Sequence, residues 1–425
     1  MKGILYVKMR LLWVLIVPGL LFSQGWFTQT SGTNKPLFDV HFADNQNGWI
    51  ASITNSIFHT TDGGDNWVDL EPTPSVNYYS IHFVSTQEGW AAGNFGQIRY
   101  TTDAGTTWAD QNSTVDGYLW DMYFIDEDHG WMAGGRPEGF PGPDPTRYIL
   151  YTSNGGGSWS TQLYQNDEFA LHSIHFFDAN IGYAAGETGA IFNTTDGGGV
   201  WTQQTSGTIR EFTAVHAVTP DTAWAVGVNG LVVRTTNGGS TWDSLYLGTL
   251  HHFSHIQFVD ALTGWISGGD NTHATILHTT DGGATWVMQD AGTNNYLYGF
   301  FFLDADIGWA VGYDGTIIHT TTGGTGIEES VGFAEEPFTD VILAQNSPNP
   351  FSNMTSISFS LPQSARVKLA IYDLIGQEVE TLVDREMSAG HHNITFSGKN
   401  LPNGVYFYRL NTGTATRTKM CVLLK

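Results

Sequence analysis

Apolar and polar residues alternate along most of this chain in short runs, and turn residues cut the runs every few positions. In Leu37-Phe38-Asp39-Val40-His41-Phe42 the alternation predicts a strand, and Asp44 to Gly48 supplies turn chemistry. Trp49 to Ile53 returns, Ile57 to Thr61 runs out again, and Asp62-Gly63-Gly64 turns into Trp67-Val68-Asp69-Leu70. No part of this region sustains a helical period. The same four-strand sentence is written seven times, marked by Gly48-Trp49, Gly89-Trp90, Gly130-Trp131, Gly182-Tyr183, Ala223-Trp224, Gly264-Trp265 and Gly308-Trp309. The spacings of 41, 41, 52, 41, 41 and 44 residues predict an all-β chain built on a seven-bladed β-propeller.

The seventh repeat stops early. After Thr320 to Gly326 no Trp-bearing fourth strand follows, whereas Trp26-Phe27-Thr28-Gln29-Thr30-Ser31-Gly32-Thr33 has no strand set before it. That segment matches Trp201 to Thr208 closely. Trp26 to Thr30 is therefore expected to supply the outer strand of blade seven, closing the ring and removing an open sheet edge.

The Asp-Gly-Gly-x-x-Trp element resembles the Asp-box of sialidase-like propellers. The whole repeat, over about residues 24–326, is similar to the propeller family of photosystem II assembly and stability factors and their bacterial relatives. The first box positions are Asp62, Asp103, Asn154, Asp196, Asn237, Asp281 and Thr322. Asn in place of Asp suits a side-chain oxygen that caps backbone N–H groups, and does not suit a metal or a charge-dependent role. The following Trp is expected to pack between sheets.

Both ends of the chain carry different signals. Lys2, Lys8 and Arg10 precede an apolar run from Leu11 to Phe22 that ends at Ser23. This reads as a signal peptide over residues 1–23, too short to be a transmembrane anchor, with no Cys for lipid attachment. An acidic linker, 327–340, separates the propeller from residues 341–425. There Leu343 to Phe351, Ile357 to Pro362, Val367 to Gly376, Leu401 to Leu410 and a basic finish, Lys419 to Lys425, occur in order. This segment resembles the type A C-terminal sorting domain of type IX secretion cargo. The resemblance implies a Gram-negative bacterium, passage through the periplasm, recognition by the type IX secretion machinery and removal of the domain at the outer membrane. The propeller would then be released or attached to the cell surface. Alternating strands with Pro- and Gly-rich turns predict a small β-sandwich there on pattern alone.

Charge follows the same division. Residues 24–326 hold 6 Lys+Arg against 31 Asp+Glu, the linker adds five acidic residues, and residues 341–425 hold 8 basic against 5 acidic. A propeller at −25 repels phosphate backbones, so nucleic acid is not an expected partner. The single cysteine, Cys421, excludes an internal disulfide and Cys-based zinc sites. No cofactor and no metal are expected.

If strands run A to D antiparallel, B–C and D–A connections share one face and the Asp-boxes lie on the other. The extra residues fall in B–C loops: Arg136 to Arg147 in blade three, and a smaller set around Asp270 to His273 in blade six. Ten residues before each Gly-Trp step, where strand A begins on that same face, stand Phe38, Tyr79, Trp120, His172, Thr213, Ser254 and Tyr298. Tyr78, Tyr118, Arg210, His251 and His252 lie nearby. Aromatics beside polar and basic groups on a concave surface suit sugar or peptide binding. The candidate ligand residues are Tyr79, Trp120, Arg136, Arg147, His172 and Tyr298. Seven residues before each Gly-Trp step lie His41, His82, Tyr123, His175, His216, Gln257 and Phe301. These are expected to face a neighbouring blade as satisfied, buried groups, not to converge on a metal.

Three functions fit: a non-catalytic secreted or cell-surface propeller that binds a glycan or protein, an extracellular glycoside hydrolase, and an assembly factor for another surface protein. A hydrolase needs paired carboxylates, for which Asp121, Glu138, Asp144 and Glu187 are the candidates. A sialidase resemblance implies an arginine cluster. The propeller has Arg99, Arg136, Arg147, Arg210 and Arg234, with Arg99 and Arg234 read as equivalent strand-C positions, and no Arg-Ile-Pro motif precedes the first repeat. Binding without catalysis is the reading favoured by the sequence.

Overall fold

The computed structural model describes residues 25–70, 76–136, 146–166, 169–270, 272–325 and most of 341–425. The expected signal peptide, the linker 327–340 and the loop 137–145 lie outside the described residues. Seven four-stranded antiparallel sheets form the repeats, each in the order A-B-C-D. Blade one is Leu37–Phe42, Gly48–Ser52, Ile57–Thr60 and Val68–Asp69. In blade seven, Leu297–Phe302, Ile307–Gly312 and Ile317–Thr321 are completed by Phe27–Gln29, with Phe27 opposite His319 and Gln29 opposite Ile317. The N-terminal strand therefore closes the ring, as its match to blade four predicts.

The Gly-Trp step has a packing cause. A Cβ placed on Gly48 would lie 2.4 Å from the Phe42 ring, and the same clash recurs at Gly89 with Phe83 and at Gly130 with Phe124. The Phe that ends strand A covers the first residue of strand B, so only glycine fits. Blade five is the exception that fits the rule. It carries Ala223 in place of glycine, and its cross-strand partner is Ala217 in place of Phe.

That Phe is also the seam between blades. Trp49 of blade one stacks on Phe83 of blade two, ring centroids 3.5 Å apart and 4° from parallel, while Trp108 meets the same Phe83 edge-on. Trp90, Phe124 and Trp159 repeat the triplet, as do Trp309, Phe42 and Trp67. Each such aromatic pair contributes about 0.5–1.5 kcal/mol beyond its area burial. The Trp49 Nε1–H donates to the Ala104 carbonyl at 3.0 Å and Trp309 to that of Gly63 at 3.2 Å, so the stacked ring also ties down the next blade's box turn.

In the box turns, Asp103 Oδ1 accepts from the Thr107 backbone N–H at 2.8 Å, and Asn154 Oδ1 accepts from Ser158 N–H at 2.9 Å. One oxygen suffices in both, so the residue acts as a cap. Residues 341–425 form a second β unit. A three-stranded sheet holds Met354–Leu361, and a four-stranded sheet holds Ala365–Tyr372, Gly404–Asn411 and Thr416–Leu423. Phe351, Phe359, Leu369, Tyr408 and Cys421 belong to one buried cluster between them.

Candidate functional site

The strand-A ladder slips by one residue at the same place in every blade. The register jumps from Leu37 to Asp39, from Tyr78 to Ser80, from Leu119 to Asp121 and from Leu171 to Ser173, and likewise in blades five to seven. The skipped residues are Phe38, Tyr79, Trp120, His172, Thr213, Ser254 and Tyr298. A β-bulge leaves its extra residue outside the ladder and re-aims its side chain. Five of these side chains, Phe38, Tyr79, Trp120, His172 and Tyr298, follow one another in ring contact around the propeller axis. Phe38 lies 5.3 Å from Tyr79 and 5.1 Å from Tyr298, Tyr79 lies 4.6 Å from Trp120, and Trp120 lies 5.5 Å from His172, all between ring centroids. Tyr118 stacks on Trp120 at 4.9 Å. Four of the six candidate residues (Tyr79, Trp120, His172 and Tyr298) thus stand in one half-buried collar. Tyr78, in contrast, is fully buried in a blade seam.

His172 is the charged member of the collar. Its Nδ1 lies 3.1 Å from Glu211 and its Nε2 lies 3.5 Å from Glu187. Burial opposes the charged ring, but the hydrogen bonds and charges of the two carboxylates outweigh it and raise the pKa to about 9. The ring is an imidazolium at neutral pH, and Glu187 is held below the usual carboxylate range.

Arg136 and Arg147 do not belong to a loop. Arg136 pairs with Thr146 and Gly135 with Arg147 in the ladder of strands His129–Arg136 and Thr146–Ser153, so these strands run further than the sequence pattern suggests. Both side chains are buried. Arg136 pairs with Asp116, and the Arg147 guanidinium sits 5.6 Å from the Phe192 ring. Arg99 and Arg234 are not equivalent either. Arg99 faces Ala91 and Arg234 faces Trp224 across their ladders, one residue out of step. In blade six, His251, just before strand A, reaches the B–C connection, where its Nε2 lies 3.4 Å from Asp270 Oδ2 and its Nδ1 lies 2.7 Å from Thr275 Oγ1.

Beneath the collar lies an axial cavity of about 480 Å³. Asp39, Asp121 and Ser173 line it at the level next to the collar, and Phe177, Val218, Val259 and Asp260 line it at the opposite end. Asp39 Oδ2 accepts the Ile81 N–H at 2.8 Å and Asp121 Oδ2 accepts the Ile174 N–H at 2.9 Å, each from the following blade. Ser80, between them, receives the Met122 N–H at 3.2 Å. Burial, and for Asp39 also the nearby Asp121, pushes the two carboxyls up to about 7 and about 6.

The next level holds His41, His82, Tyr123, His175 and His216, with Gln257 and Phe301. His41 Nδ1 accepts the Phe83 N–H at 3.4 Å and His175 Nδ1 the Ala217 N–H at 3.2 Å, so they do bridge to the neighbouring blade. They also converge around the axis, against the expectation: His41 and His82 lie 4.4 Å apart, and His175 and His216 3.8 Å apart. Burial lowers the pKa of all four, with neighbouring histidines adding to the effect on His41, His175 and His216.

Of the hydrolase candidates, Asp121 is occupied by backbone amides and Glu187 by His172, while Glu138 and Asp144 fall outside the described residues. Sequence reasoning missed two exposed aromatics at the tips of B–C turns, Phe95 and Tyr313. Phe95 adopts a left-handed φ of 57°. A bulky residue at a position that usually favours Gly or Asn was the available signal.

Residues 20–114, 108–245 and 242–335 match the family described as photosynthesis system II assembly factor YCF48. Residues 347–423 match the secretion system C-terminal sorting domain. No curated protein is significantly similar to the chain. Among solved structures, YCF48 bound to D1 peptide is 18% identical with a TM-score of 0.58, covering 70% of this chain and 97% of its own. YCF48 from Cyanidioschyzon merolae is also 18% identical, with a TM-score of 0.56 and coverage of 70% and 98%. The WD40 propeller domain of Doa1 is 13% identical, with a TM-score of 0.52 and coverage of 69% and 96%. At these identities the likeness shows a shared fold. The family matches together span most of the chain: it belongs to the YCF48 propeller family and carries a type IX sorting domain that marks it for export to the cell surface or the medium.

Proposed function

We propose that this exported propeller is a binding protein, and that its collar face holds an extended peptide segment of another secreted or surface protein. The observation that carries the reading is the seven-fold bulge, which gathers Phe38, Tyr79, Trp120, His172 and Tyr298 into one half-buried surface. Large, rigid aromatics beside fixed charges are the usual anchors of recognition. Here the fixed charges are the His172 imidazolium and the carboxylates of Glu187 and Glu211. A relative whose structure is described as YCF48 bound to D1 peptide supports a peptide in preference to a sugar.

Catalysis is not favoured, because Glu187 is held by His172 in the collar while Asp121 lines the separate cavity beneath it, so the two do not form a carboxylate pair on the collar face. The test is a peptide and glycan array probed with the purified protein and with Trp120→Ala and Tyr79→Ala. Peptide hits lost in both variants support the reading. Glycan hits alone, or peptide hits that survive both changes, sink it.

A further inference from the structure

The axial cavity is separate from the collar surface and has a chemistry of its own. It is ordered along the propeller axis: Asp260 with Phe177, Val218 and Val259 at one rim, then the imidazoles of His41, His82, His175 and His216, then Asp39 and Asp121, with Ser173 and His255, at the inner end. No Lys or Arg is among the described residues that line it. The histidines do not supply positive charge: the buried pairs His41–His82 and His175–His216, ring centroids 4.4 and 3.8 Å apart, disfavour protonation of each other, and burial lowers His255 to about 4. The only groups able to carry charge near neutral pH are therefore carboxylates, one at the rim and two at the inner end. The volume of about 480 Å³ falls in the range of small-molecule sites.

Length narrows the occupant. The rim and the Asp39 level are about five strand residues apart, which is at most roughly 16 Å at ~3.3 Å per residue. A metal ion alone would not fill such a well. We propose that the axial cavity binds a linear aliphatic amine, which enters past Asp260 and seats its terminal ammonium between Asp39 and Asp121. The alkyl portion then lies against the Tyr123 and Phe301 rings and the neutral imidazoles, which take it out of water. Burial that keeps Asp39 protonated near neutrality is relieved when an ammonium arrives, so the carboxyl ionises on binding.

The test is calorimetric titration of the full chain at 150 mM salt with spermidine and 1,5-diaminopentane, and with 1-pentanol as the uncharged control. At pH 8 both amines bind and the alcohol does not. At pH 5, where the carboxyls hold their protons, affinity falls at least tenfold. Asp39→Asn and Asp121→Asn retain an oxygen for the Ile81 and Ile174 amides, and each weakens amine binding at least tenfold. A lysine-rich peptide that displaces spermidine identifies a protein side chain as the source of the amine; a peptide that does not displace it identifies a free amine. Absence of binding at millimolar amine and pH 8 overturns the proposal. So does an affinity unchanged in both Asn variants, which would assign the heat to the acidic exterior. The pH comparison uses the unaltered protein, checked by circular dichroism to be folded at pH 5, and holds even if a variant fails to fold.

Discussion

Trp26 meets Phe302 edge-on, with ring centroids 5.7 Å apart and planes at 88°, and so joins the two ends of the propeller sequence through one contact. Trp265 stacks on the same Phe302 at 3.6 Å, and the Trp26 Nε1–H donates to Gln289 Oε1 at 3.1 Å. Blade seven thereby gains the triplet that every other blade but the fifth builds around its strand-A Phe. Trp26→Ala removes a fully buried indole and is expected to cost about 3 kcal/mol or more. That corresponds to a fall of roughly 6–12 °C in melting temperature. Deleting residues 24–33 should lower it further still. A melting curve unchanged by either alteration would show that the ring does not depend on this closure.

The box carboxylates make a contrasting pair of substitutions. Asp103→Asn keeps the oxygen that accepts the Thr107 amide and should leave the melting temperature unchanged, since Asn154 performs the same task in blade three. Asp103→Ala removes the cap and should lower it measurably. Equal losses in the two variants would mean that the charge, and not the cap, is what counts.

Stability should peak near pH 6.5–7. His82 and His255 are lowered to about 4 and His216 to about 3, with His41 and His175 also well below 6.5. The unfolded chain thus binds protons that the folded chain refuses. The stability tied to these rings is whole above pH 6.5 and is lost as the pH falls toward 4. Asp39 and Asp121 act in the opposite sense, their stabilising protonation fading between pH 3.8 and about 7, but five imidazoles outnumber two carboxyls. On the alkaline side, His172 contributes fully below 6.5 and loses its effect as the pH passes about 9. Thermal melts across pH 4–10 should trace both limbs. His216→Gln should flatten the acid limb, because Gln257 already fills this position in blade six and bonds the Phe302 N–H and carbonyl. His172→Gln should flatten the alkaline limb. A melting temperature that stays level from pH 6.5 down to 4 would contradict this account.

Export should depend on the second β unit. A chain truncated after residue 340 is expected to remain inside the cell envelope, while the full chain reaches the surface or the medium. Immunoblots of medium, surface and periplasmic fractions would report this directly.

Most of the ring was legible because its signals are local. Gly48-Trp49 and its repeats reflect a strand-A Phe pressed on the glycine, and Trp26 betrays its place by matching Trp201. The collar was legible only in part. Counting back from Gly-Trp finds Tyr79, Trp120, His172 and Tyr298, but the bulge that swings them to the axis is a slip between two strands and has no mark within either one. The same blindness to pairing placed Arg136 and Arg147 in a loop. Their strands continue past the point where alternation fades, and ladder hydrogen bonds hold residues that the hydrophobic pattern does not single out. His41 and its equivalents were correctly given a neighbouring-blade partner. Their convergence was missed, because it follows from the ring's curvature and not from any one repeat.

The pairing of Phe27–Gln29 with Ile317–Thr321 also sets an order in time. The outer strand of blade seven is made near the beginning and finds its partner only after some three hundred further residues exist. Until then blade seven lacks the partner that closes the ring. The sorting domain is encoded beyond the closing strand, so any chain that carries the export address already contains everything needed to shut the ring. A chain cut short before Ile317 lacks both. The export address thus lies downstream of the strand that completes the ring.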